Sequence, residues 1–293
     1  MVNKKKNSIF KFIGFSTLIV LLFSCTTIPI RERDAFDAKR TVTADDLRRK
    51  GMALQEITFS SDDTVQLKAW YLSREDARGT VLYLGGNGFL LAISEEIFSA
   101  FHAQGMNVFA FDYRGYGRSS GKPSVQGLKN DVRAAYAYLA GKLHVSPDRL
   151  VIHGHSLGTV FALWLANQNH AAGVVLESPI TDAKDLTNRL VPTLLKPFVR
   201  FEIDEALLQD SNLEQVTRLQ KPLLIVTGAD DPITPKVMAE MLYQRATVKD
   251  KNLIIIDKGG HNDLPPNKTY RQALSEFYTS LPGLKISETD GGN

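Results

Sequence analysis

Six short apolar runs recur along the middle of the chain without polar alternation, at residues 80–84 (TVLYL), 107–111 (NVFAF), 150–153 (LVIH), 173–176 (GVVL), 223–226 (LLIV) and 253–256 (LIII). Strands apolar at nearly every position bury both faces, as those of a parallel sheet covered by helices do. Between the runs, apolar residues fall at helical spacing. Val125, Leu128, Val132, Tyr136 and Leu139 mark one helix; Leu157, Val160, Phe161, Trp164 and Leu165 a second; Tyr270, Ala273, Leu274, Phe277 and Leu281 a third. Upstream, residues 57–59 and 65–72 read as an antiparallel pair turning at Ser61-Asp62-Asp63. This alternation predicts one α/β domain over residues 54–283, a mostly parallel eight-stranded sheet with helices on both faces. Functional groups in such a sheet gather beyond the carboxyl ends of the strands.

One interval breaks the rhythm. Residues 179–221 hold no strand signal, only helical pieces interrupted by Pro192 and Pro197. An insertion there predicts a short helical cap, at about residues 180–220, over the strand ends. Its apolar residues, among them Leu186, Leu194, Leu195, Phe198 and Phe201, suit either a cover for an acyl group or packing of the cap onto the core.

The amino-terminal end has a different pattern. Lys4, Lys5 and Lys6 precede an apolar run at residues 12–23, followed by Ser24 and Cys25. That is the arrangement of a secretory signal peptide over residues 1–24, and the run is shorter than the roughly 20 residues a spanning helix needs. Leu22-Phe23-Ser24-Cys25 resembles a bacterial lipobox, with Phe23 bulkier than usual at its position. Cys25 is the only cysteine, so a disulfide within the chain is impossible; acylation would account for a lone exported thiol. The expectation is a protein exported to the cell envelope and held at a bacterial membrane by lipid on Cys25. Residues 25–53 would be a tether with one short helix near residues 45–50, and residues 284–293 a loose tail.

The leader also explains the charge. The net charge is +3, but four of the 35 lysines and arginines fall in residues 1–24, which hold no acid; the remaining 31 face 32 acids. A nucleic-acid partner is not expected, since no basic patch with interleaved aromatics follows. No metal or organic cofactor is expected either: the sequence has neither a His/Cys/Asp cluster at ligand spacing nor a phosphate-binding loop.

Two segments satisfy G-x-S-x-G, residues 154–158 (GHSLG) and 117–121 (GRSSG). A nucleophile elbow needs a strand entering a tight turn and a helix leaving it, so that the Ser oxygen stands clear of the sheet. Ser156 has both flanks; Ser119 is followed by Lys122-Pro123 and reads as a turn residue. A serine hydroxyl needs a base, and His261, after the last apolar run on Gly259-Gly260, is the candidate. The acid that orients the imidazole is expected at Asp231, with Asp230 the alternative; both follow the run at 223–226. Leu157 is expected to give one oxyanion amide. Gly85-Gly86-Asn87-Gly88 would supply the other, from Asn87 or its neighbour Gly86.

Together, DYRGYGRSSG at 112–121, Pro123-Ser124, GHSLG at 154–158, Glu177-Ser178-Pro179, Gly228 to Asp231 and Gly260-His261-Asn262-Asp263 resemble the α/β-hydrolase superfamily. The likeness is to the branch of acyl-protein depalmitoylases, monoglyceride and lysophospholipid lipases and serine-aminopeptidase-like hydrolases, and covers residues 56–281. It implies a serine hydrolase acting on a small-molecule acyl ester or thioester, and structural roles for Asp112 and Arg114. Where such relatives carry His-Gly-Asn, this chain has Gly85-Gly86-Asn87. A peptidase is the rival reading, with Glu202, Asp204 and Glu205 available for a peptide amino terminus; a non-catalytic binding protein on the same scaffold is a third.

Overall fold

The structure, a computed structural model, describes residues 26–38, 54–61, 64–91, 94–189 and 191–285. In chain order the first half forms β1 (Thr26–Ile30), β2 (Gln55–Ser60), β3 (Gln66–Leu72), β4 (Gly79–Leu84), α1 (Glu95–His102), β5 (Met106–Asp112), α2 (Val125–Gly141), β6 (Leu150–His155) and α3 (Gly158–Gln168). The second half forms β7 (Gly173–Glu177), α4 (Ala183–Arg189), β8 (Val199–Ile203), α5 (Glu205–Leu208), α6 (Asn212–Arg218), β9 (Leu223–Gly228), α7 (Lys236–Arg245), β10 (Lys251–Ile256) and α8 (Lys268–Ser280). Eight strands make one sheet in the order β10-β9-β7-β6-β4-β5-β3-β2, parallel throughout except at the pairings of β3 with β2 and β5.

Five of the six unalternating runs are buried for the expected reason; the sixth, at residues 253–256, forms the edge strand β10 and leaves Ile255 38% exposed. In β4, Leu82 and Leu84 enter one apolar core while Val81 and Tyr83 enter the other. The first core packs α2 and α3 through Leu128, Val132, Phe161 and Leu165; the second packs α1 and α8 through Phe98, Phe101, Tyr270 and Leu274. Both faces are therefore covered, and the strand ends are left as the place for chemistry. Helices α1 and α7, which the sequence reading does not name, complete the alternation. Arg114 and Asp131 form a buried ion pair, Nη2 to Oδ1 at 2.7 Å, with Arg114 N also donating to Asp131 Oδ2. Asp112, equally buried, accepts from Leu91 N at 2.9 Å. Both residues brace the loop after β5.

The cap differs from expectation. Residues 179–221 hold a strand, β8, besides helical pieces. It pairs in parallel with β1, with Thr26 opposite Val199 and Ile30 opposite Ile203. Its alternation Val199-Arg200-Phe201-Glu202-Ile203 is the local signal of a half-buried strand, but its hydrogen-bond partner lies at the far end of the sequence. The start of the expected irregular tether is thus ordered as β1, whereas residues 1–25, the short helix near 45–50 and residues 286–293 lie outside the described residues.

Candidate active site

Ser156 sits where β6 turns into α3, with φ at +52°. A left-handed backbone at a non-glycine residue costs free energy and persists only when its surroundings fix it. Here Ser156 N donates to Glu177 O at 2.9 Å, and Ser156 O accepts from Thr159 N at 3.0 Å and Thr159 Oγ1 at 2.6 Å. The flanking glycines are sterically required: a Cβ at Gly158 would strike the Leu84 carbonyl, and one at Gly154 the Gly158 backbone. Ser119 has another use. Its Oγ donates to Asp112 O at 2.6 Å and accepts from Lys68 N at 2.9 Å, pinning the loop after β5 against β3.

His261 arrives on the loop after β10, its Nδ1 2.7 Å from Asp231 Oδ2. A carboxylate only accepts, so Nδ1 carries a proton and, in the neutral ring, Nε2 is the acceptor. Asp231 Oδ1 accepts from Ile233 N and Thr234 N, both at 2.8 Å, and Oδ2 also accepts from Thr234 Oγ1 at 2.7 Å. Burial pushes this carboxyl up, but the hydrogen bonds from His261 and Thr234 outweigh it and hold it down at about 2. Asp230 faces solvent, and its N–H donates to Gly259 O. Asp231 rather than its neighbour therefore meets the imidazole. A Cβ at Gly228 would collide with Gly259, so the loops after β9 and β10 approach closely only because that residue is glycine.

Ser156 and His261 line one cleft of about 580 Å³, together with Gly86, Asn87, Gly88 and the apolar Tyr83, Phe89, Ile97, Ile233 and Pro265. No hydrogen bond joins Ser156 Oγ to the ring in this geometry; such contacts commonly tighten only with substrate bound. Leu157 opens α3, where first-turn amides have no intrahelical partner. Gly86 lies against Ser156: a Cβ there would stand 3.1 Å from Ser156 Cβ and 2.9 Å from His155 Nδ1. Gly85 stands where relatives carry His, and the space a side chain there would need is filled by the Phe89 ring. The cap side chains singled out from sequence do not line this cleft. Leu194 and Leu195 are instead 87% and 51% exposed, so they neither cover the site nor pack the cap onto the core.

Sequence reasoning left three contributors unassigned. His155 Nε2 lies 2.9 Å from His261 O; a carbonyl only accepts, so Nε2–H donates and ties the histidine loop to the elbow. Burial keeps the His155 ring below its ordinary pKa, hence neutral. Beneath it, Glu177 Oε2 receives His153 Nε2 at 2.8 Å and Tyr270 Oη at 2.7 Å. Burial alone would raise that carboxyl; the His153 hydrogen bond and the neighbouring His155 and Tyr270 keep it below the usual range. Thr234 anchors Asp231. The cleft-side position of Glu177 and the reach of His155 depend on side-chain direction, which no motif spacing encodes.

The family pattern described as serine aminopeptidase, S33, matches residues 75–211. The chain is 32% identical over 234 residues to the uncharacterized protein Rv2307c of Mycobacterium tuberculosis, covering 78% of this chain and 81% of that one. This chain belongs to the serine aminopeptidase (S33) family of α/β hydrolases. The hydrolase is also 28% identical to the α/β hydrolase domain-containing protein 17B of Xenopus tropicalis, over 70% of this chain and 67% of that protein. In fold it resembles the Pyrococcus furiosus esterase Pf2001, with a TM-score of 0.67 at 20% identity, covering 83% of this chain and 98% of that one. The family match takes in the elbow and ends before Asp231 and His261, whose place in this hydrolase rests on the geometry above.

Proposed function

We propose that this hydrolase cleaves carboxylic esters or thioesters through an acyl-enzyme on Ser156. The observation that carries the reading is an imidazole held by a buried, ionised Asp231 in the same cleft as a serine at a strained elbow. His261 Nε2 takes the Ser156 proton during attack and returns it to the leaving group; water then repeats the cycle to release the acid. The amides of Leu157 and Asn87 are the donors for the developing oxyanion, with Gly86 beside them. The apolar ring of Tyr83, Phe89, Ile97, Ile233 and Pro265 suits an acyl chain.

The peptidase reading loses its proposed amine site. Glu202 and Asp204 pair with Arg31, neither they nor Glu205 line the cleft, and Glu177, the acid that does line it, is engaged by His153 and Tyr270. Incubation with a fluorophosphonate is expected to modify Ser156 alone. Turnover of p-nitrophenyl acyl esters should exceed that of amino-acid arylamides by at least about 100-fold, or roughly 3 kcal/mol of barrier. Faster arylamide turnover would favour the peptidase.

We further propose that Cys25 carries lipid and holds the protein at a bacterial membrane. Thr26, the next residue, pairs with Val199, and the exposed Leu194 and Leu195 lie in the turn Thr193–Phe198 that leads into that end of β8. The acyl chains and these leucines would therefore meet the bilayer together. In fractionated cells the protein should follow the membranes, and Cys25→Ser should lose the mass of the attached lipid and shift toward the soluble fraction. An unmodified Cys25 in the membrane-bound protein would refute the anchor.

A further inference from the structure

The loop that carries the Asn87 amide is inherently loose, because Gly85, Gly86 and Gly88 are three of its four residues and each gives the backbone extra freedom. Gly88 uses that freedom directly, at φ +77°. Something outside the loop must hold it if two amides are to stand ready opposite Ser156, since preorganisation is what makes such donors effective.

The outside tie comes from the segment after Cys25. Beyond β1, Arg31 pairs with Glu202 and Asp204 of the cap, and Glu32 N donates to Asp204 Oδ2 at 2.8 Å. Glu32 Oε1 accepts from Val125 N at 2.6 Å, capping the first turn of α2. Phe36 then enters the same apolar core as Leu90 and Tyr116. On either side of that plug the backbone grips one side chain: Asn87 Nδ2 donates to Ala35 O at 3.0 Å, and Asp37 N donates to Asn87 Oδ1 at 2.7 Å. Tyr116 Oη donates to the same Oδ1 at 2.8 Å. Both lone pairs of that oxygen are thereby used, and the carboxamide is fixed in plane and direction.

We propose that residues 26–38 form a strap that positions the oxyanion loop, and that Asn87 works through its side chain as the positioning residue on which the strap closes. The inference rests on the serine-hydrolase reading and adds a dependence that reading does not require. Catalysis would rely on a segment lying between the candidate lipid site and the cap, far from the family motifs in sequence. Because the same segment pairs with β8, cap and oxyanion loop are mechanically joined.

The test uses the full chain with Asn87→Ala, Asp37→Pro and the double variant. Asp37→Pro removes the backbone donor; because the Asp37 side chain lies against Gly88, Asp37→Ala, which loses the same side chain but keeps that donor, is the control and should retain more turnover. Losing one oxyanion donor outright costs about 10²–10³ in kcat. A displaced donor should cost part of that, so kcat is expected to fall about 10- to 100-fold in Asn87→Ala, with KM within about twofold. Asp37→Pro should fall in the same direction, and the double variant should be no worse than the poorer single, as for two ends of one linkage. Amide hydrogen exchange in residues 85–89 should rise in each. Unchanged kcat in the folded single variants, or effects that multiply in the double, would overturn the strap. Should Asn87→Ala not fold, Asp37→Pro decides by itself. If the wild type hydrolyses no ester, the hydrolase reading fails separately, and unchanged exchange at residues 85–89 in Asp37→Pro would still reject the strap.

Discussion

Ser156→Ala should lower kcat on acyl esters by on the order of 10⁴ to 10⁶ while leaving KM and the melting temperature close to wild type. The loss follows from chemistry: without Oγ no acyl-enzyme forms, and only the oxyanion amides and the cleft remain to favour attack by water. Folding should survive because the elbow is held by backbone groups that alanine retains. Those are Ser156 N on Glu177 O and the two bonds from Thr159 to Ser156 O. The positive φ is set by the same bonds and by the glycines on either side. Ester turnover, circular dichroism and a thermal melt on one preparation check both halves. Near-native turnover in a folded Ser156→Ala protein would end the proposed mechanism.

Asp231→Asn should cost about 10⁴ in kcat, for a reason that lies in its hydrogen bonds. The Oδ1 position receives two backbone N–H groups, from Ile233 and Thr234, so the amide oxygen of an asparagine would settle there. Its NH₂ would then occupy the Oδ2 position and donate to His261 Nδ1, moving the ring proton to Nε2. The imidazole could no longer accept the Ser156 proton. The same substitution should alter acid stability. A carboxyl lowered from about 4 to about 2 on folding stabilises the folded state fully above the higher value and loses that stabilisation as pH falls toward the lower one. Its size is roughly 2 kcal/mol. The stability gap between wild type and Asp231→Asn should therefore narrow between about pH 4 and pH 2. Denaturant titrations across that range measure it; a gap that stays constant would mean Asp231 is not the lowered carboxylate.

The buried His153, Glu177 and Tyr270 group supports the elbow from below, while His155 joins the elbow to the histidine loop. A cluster of titratable groups so close to Ser156 shows how the candidate base is held in place by partners of its own, including a neutral ring and an ionised carboxylate.

Most of the secondary structure was legible because its causes are local. Short apolar runs without alternation, set between segments of helical spacing, fit strands of a covered parallel sheet, and residues at helical spacing bury one stripe. The need for glycine at 154, 158 and 228 was equally legible, since a tight turn or a close approach of backbones restricts residue type at that very position. What the chain could not announce were contacts between distant segments. The pairing of β1 with β8 joins residues more than 170 positions apart; the alternation in β8 marks a strand but does not name its partner. The choice of Asp231 over Asp230 depended on which carboxylate the loop turns inward. Leu194 and Leu195, which suited either an acyl cover or cap packing, face outward instead, and Asn87, named for its backbone amide, is gripped by its side chain. Local sequence sets backbone preference and periodicity; side-chain direction and long-range partners are fixed only when the whole core closes.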